Sequence, residues 1–147
     1  MKMLLKKQEH LSKSRTKMQA NYLTPEFDKK VFILDNYTHL RGKNDVLYSE
    51  PFFWKNIEWK LKIYPGGLHK EQPKGSEQYL AMYLEMTKGH KNHQNIYTYK
   101  IELINQTDRD RCISRTFESE FEEGQSWGYD SFAKISTLYE EKYIHPE

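Results

Sequence analysis

Two histidines lie three residues apart in Gly89-His90-Lys91-Asn92-His93, a spacing that would let them share a metal ion if a helix carried them. They fall instead in a polar stretch flanked by Lys, so a solvated loop without metal is expected. The carboxylates Glu118, Glu120, Glu122 and Glu123 are the next candidates, for paired acid and base work. Such work needs neighbouring carboxyls held at different pKa values, and nothing nearby in the sequence would raise one and leave the other low. A solvated acidic face is the expectation. Trp59, Lys60, Lys62 and Tyr64 interleave rings with cations as single-strand nucleic-acid platforms do. On a strand, however, Trp59 and Tyr64 point to opposite faces and both lysines point away from Trp59. The sequence contains no Walker loop, dinucleotide fingerprint, nucleophile elbow or His-Glu-x-x-His pair. Neither a catalytic residue, a cofactor nor a nucleic-acid partner is expected.

What remains is the segment Phe121-Glu122-Glu123-Gly124-Gln125-Ser126-Trp127-Gly128-Tyr129-Asp130-Ser131-Phe132. Two glycines around a Trp in a polar stretch point to tight backbone turns that hold one large ring in place. Sequence alone leaves Trp127 open between ordinary core and an exposed platform for a ligand.

The elements that must position these residues divide the chain in two. Up to residue 30 there are eight basic and three acidic residues, a net +5, which leaves −3 on the rest and +2 on all 147. Residues 1–27 are Lys- and Gln-rich, with Leu4, Leu11 and Met18 seven apart, an apolar stripe on a helix. This segment is expected to be a basic helix or a disordered leader, ended at Pro25, and to offer a route to homo-oligomers. From residue 28 to 147 the periodicity changes to two. Segments 31–37, 46–54, 57–64, 79–86, 96–104 and 112–117 read as strands separated by turn signals. Within 79–86 the better core candidates are Leu80, Met82 and Leu84, which sets Tyr83 on the other face. An all-β antiparallel sandwich or barrel is the expected architecture. Apolar runs such as 31–34 are far below the roughly 20 residues of a membrane helix, and Met1 to Leu5 is too short for a signal peptide. With the lone Cys112, these features predict a soluble cytoplasmic protein without a membrane partner.

Taken in order, six motifs resemble the MATH domain, the meprin and TRAF homology fold. They are Phe32-Ile33-Leu34-Asp35-Asn36-Tyr37, Tyr48-Ser49-Glu50-Pro51-Phe52, Trp59-Lys60-Leu61-Lys62-Ile63-Tyr64-Pro65-Gly66-Gly67, Tyr79-Leu80-Ala81-Met82-Tyr83-Leu84, Tyr99-Lys100-Ile101-Glu102-Leu103-Ile104-Asn105-Gln106 and Gly124-Gln125-Ser126-Trp127-Gly128-Tyr129. The resemblance covers about residues 29 to 145 and looks most like the domain of tripartite-motif ubiquitin ligases. It implies a TRAF-like β-sandwich of about seven to eight strands that binds short extended peptides in a shallow groove and recruits partners in ubiquitin-linked pathways. The groove aromatics of a more distant member, a substrate adaptor, fall on Tyr83, Tyr99, Trp127 and Tyr129, with Gln125, Ser126 and Gly128 on the adjoining loop. Ser126 stands where some members carry an acidic residue. The family's final strand should begin just past Glu147, so a sandwich with an unpaired edge is expected.

Only a few side chains would be buried on peptide binding, at roughly 1.5 to 3 kcal/mol each less the ordering cost, so micromolar affinity is expected. Against this stands an assembly role, in which the N-terminal stripe drives oligomerisation and the sandwich is a spacer.

Overall fold

Strands with period-two alternation make up most of the residues described by the computed structural model, 2–9, 27–43, 45–54, 56–68, 77–89 and 95–144. In order, the elements are β1 (Lys2–Glu9), β2 (Phe27–Ile33), α1 (Tyr37–Lys43), β3 (Leu47–Tyr48), β4 (Phe52–Trp54), β5 (Ile57–Tyr64), β6 (Tyr79–Lys88), β7 (Asn95–Ile104), β8 (Cys112–Phe121), β9 (Ser126–Lys134) and α2 (Ile135–Glu140). The strands form two antiparallel sheets, one ordered β2-β1-β7-β8 and the other β3-β5-β6-β9 with β4 also on β5. The β-sandwich is therefore as expected. Among the described residues no helix is long and apolar enough to cross a membrane.

The clearest alternation makes the core. β5 buries Ile57, Trp59, Leu61 and Ile63 and turns Glu58, Lys60 and Lys62 to the other face. β7 buries Tyr97, Tyr99, Ile101 and Leu103 from the opposite sheet. On β6, Leu80, Met82 and Leu84 are all fully buried, and so is Ala81, which lies opposite Tyr64 on the other face beside a register shift against β9 between Leu80 and Met82. Tyr83 returns to the outer face, as its parity predicts.

Four sequence-based expectations change. Lys2–Glu9 is a strand, so the stripe of Leu4, Leu11 and Met18 does not run along one helix, and Leu11 and Met18 lie outside the described residues. β1 sits inside its sheet, antiparallel to β2 on one side and β7 on the other, with Met3 opposite both Phe32 and Leu103 and only 2% exposed. A helix would satisfy the backbone locally and bury one stripe, whereas an interior strand satisfies it on both sides against neighbours that lie far along the chain. Lys2–Glu9 thus pairs into the same sheet as the strands that follow residue 27, and among the described residues the sheet's edges are β2 and β8. Tyr37 opens α1 instead of ending a strand, and its buried hydroxyl donates to the Pro65 carbonyl.

The segment at 46–54 divides into β3 and β4 around Pro51, which has no amide to give to a ladder. Ser49 bridges the break: its amide donates to the Leu61 carbonyl and its hydroxyl accepts from the Leu61 amide, both at 2.9 Å. Finally, the stretch from Ser126, read as turns, is the nine-residue strand β9.

Candidate functional site

Among the described residues β8 and β9 each pair on one side only, so two open strand edges face each other where the sheets meet. Gly124, at φ +89°, makes the turn between them. The turn is pinned to β6: the Gly124 amide donates to the Met86 carbonyl at 2.7 Å and the Met86 amide donates to the Gln125 carbonyl at 3.0 Å. Gln125 holds its own geometry, its Oε1 accepting from the Glu122 amide at 3.0 Å.

Register decides which way the β9 side chains point. Trp127 lies opposite Leu84 and Tyr129 opposite Met82, both core residues, so the two rings face inward; yet at the sheet margin they are 46% and 47% exposed. Trp127 is thus not ordinary core, the first of the two readings its sequence allows, but a half-exposed ring. From β8 the inward positions are Ile113, Arg115, Phe117, Ser119 and Phe121.

A line of rings then leads from the core to the margin. Trp59 meets Phe121 edge-on at 5.1 Å, Phe121 meets Tyr99 at 5.6 Å, Tyr99 stacks on Phe117 at 5.0 Å and 14°, and Phe117 meets Tyr129 at 4.9 Å. Contacts of this kind contribute about 0.5–1.5 kcal/mol each beyond area burial and fix the surface ring in orientation. Arg115 closes one end of the opening, its guanidinium donating to the Phe132 carbonyl at 3.3 Å and lying 5.3 Å from the centre of the Tyr129 ring. At the other end an open cleft of about 420 Å³ is lined by Glu118, Ser119, Glu120, Glu122, Gln125 and Trp127.

Of the residues singled out from the sequence, Trp127, Tyr129 and Gln125 converge on this opening. Tyr99 lies beneath it, 1% exposed. Burial pushes its phenol well above the usual range, with Ser119 acting weakly the other way, and its hydroxyl has no hydrogen-bond partner of normal geometry. Tyr83, Ser126 and Gly128 belong to the outer face. Tyr83 lies opposite Gly128 and Ser126 lies opposite Glu85, and the Tyr83 hydroxyl donates to Asp130. Burial first, and then the Asp130 carboxylate, raise that phenol's pKa.

Three groups of lining residues escape a sequence reading. Phe117 and Ser119 carry a usable signal, inward parity on an edge strand, but only once β8 is known to be an edge. Arg115 shares that parity and is the cation among aromatic neighbours. The carboxylates read as a solvated face do meet solvent, but they do so along the cleft. His90 and His93 lie outside the described residues.

Two facing strand edges, with rings fixed between them, suit an extended chain that gains main-chain hydrogen bonds and side-chain burial together. The MATH domain family matches residues 29–146, and the chain belongs to that family, a protein-interaction fold rather than a catalytic one. Among characterised proteins it is similar to the human (Homo sapiens) E3 ubiquitin-protein ligase TRIM37, 35% identical over 127 residues, covering 85% of this chain and 13% of that protein. The mouse (Mus musculus) E3 ubiquitin-protein ligase TRIM37 is 34% identical over 125 residues, 84% of this chain and 12% of the relative. The chain therefore spans about an eighth of the length of these relatives.

Proposed function

We propose that this chain is a non-catalytic recognition module that binds short extended peptides of partner proteins in the β8/β9 cleft. The observation that carries this reading is the pair Trp127 and Tyr129, inward-facing by register and nearly half exposed beside two open strand edges. An open strand edge left bare invites aggregation, and a peptide that pairs with it and lays a side chain on each ring satisfies both. Two or three buried side chains support micromolar affinity, at which recruitment depends on several copies acting together.

Kinship to a ubiquitin ligase supports a role in recruiting substrates or partners in ubiquitin-linked pathways. The single Cys112 has no cysteine in this sequence to pair with, which supports an intracellular setting for this reading.

The test is a peptide titration by fluorescence anisotropy with Trp127→Ala and Tyr129→Ala, each checked for an unchanged melt. Each substitution should weaken binding by at least about tenfold, as for aromatic anchors at interface centres. Binding that survives both at full strength would place the peptide elsewhere.

A further inference from the structure

The cleft is charged at one end and neutralised at the other. Arg115 is engaged by the Phe132 carbonyl and the Tyr129 ring. Glu118, Glu120 and Glu122, by contrast, are exposed along the cleft, and among the described residues no cation pairs with them. Three like charges within five residues of one edge repel each other, and a bound cation relieves them. Beside them, on the inward side of the edge, lies the exposed face of Trp127, which offers apolar area to a side chain standing between two such cations. Below Ser119, in the same lining, the buried Tyr99 hydroxyl lacks a partner of normal geometry, which marks the floor as built to meet a further polar group.

We propose that the cleft selects extended peptides bearing Lys or Arg at its Trp127 end, an inference that rests on reading the cleft as a peptide site. Strand geometry gives the pattern. A chain paired along the open edge of β8 brings alternate side chains beside Glu118 and Glu120, about 7 Å apart, so the cations stand two positions apart. The residue between them points inward to Ser119 and Trp127, where a small polar or apolar side chain fits. Toward Tyr129 the occupant carries no cation, because Arg115 is there. Acidic peptides are disfavoured throughout the Trp127 end.

Random octapeptides displayed for selection on the full chain test this directly. Three baits are compared: the native chain, the triple variant Glu118→Gln, Glu120→Gln, Glu122→Gln, and Trp127→Ala. The native chain should enrich Lys or Arg at two positions separated by one residue. The recovered peptides should bind the triple variant about tenfold more weakly, the sum of exposed pairs at one end, and should weaken on the native chain as salt is raised. Enrichment without basic residues, enrichment of Asp or Glu, or equal binding to the triple variant overturns the charge selection while leaving the cleft in place. Undiminished binding to Trp127→Ala, or no peptide recovered at all, overturns the cleft reading itself.

Discussion

Gly128 is the residue on which the site's geometry turns. A Cβ there would collide with the Met82 carbonyl oxygen and the Tyr83 Cα, backbone atoms that cannot rotate away. Gly128→Ala must therefore push β9 off β6, and both flanking rings ride on β9. We expect a loss of about 1–3 kcal/mol in urea denaturation together with weakened peptide binding. Tyr83 gives the opposite pairing of effects. Its hydroxyl donates to Asp130 on the outer face, partly open to solvent, so Tyr83→Phe should cost less than about 1 kcal/mol and leave peptide affinity unchanged. A large loss of affinity in that variant would show that the occupant wraps onto the outer face. Both residues were singled out by family resemblance, but their role depends on which strand lies opposite. Parity within β6 already separates Tyr83 from Leu84, whereas the pairing of Leu84 with Trp127 is invisible until β6 and β9 are aligned.

Elements were legible where the signal was local. β5 alternates over its whole length and ends at Pro65-Gly66-Gly67, so both its register and its end are written in adjacent residues. β1 was not legible, because Lys-rich sequence with apolar residues seven apart favours a helix in isolation, and only pairing with β2 and β7 makes it a strand. The turn at Asn105 lies between these cases. Its polar run announces a turn, but nothing local shows that the Asn105 side chain also donates to the Glu141 carbonyl at 2.6 Å, tying the end of α2 to the β7–β8 connection. That helix ends in an uncommon way, with Lys142 at φ +63° while the Tyr143 amide donates to the Leu138 carbonyl at 2.9 Å. A left-handed position after a helix is normally glycine, since a Cβ there crowds the following carbonyl. Lys142→Gly should therefore raise stability by about 1 kcal/mol, read as a higher denaturation midpoint.

At the scale of the molecule, β1 is, among the described residues, the only strand that joins β2 to the rest of its sheet. A chain lacking residues 2–9 should lose amide-exchange protection throughout β2 and along the newly opened side of β7, while β5 and β6 keep theirs. Protection of β2 in that variant would mean that β2 and β7 close directly on each other. The same placement sets an order of events in time. Among the described strands Lys2–Glu9 leaves the ribosome ahead of both its partners, and Phe27–Ile33 can pair with it early, but its other neighbour is not made until residues 95–104 emerge. From the making of β2 until that of β7 the β1–β2 pair therefore waits with one side bare. A strand made early is in this way locked late, and the growing sandwich is most exposed to wrong partners shortly before β7 appears.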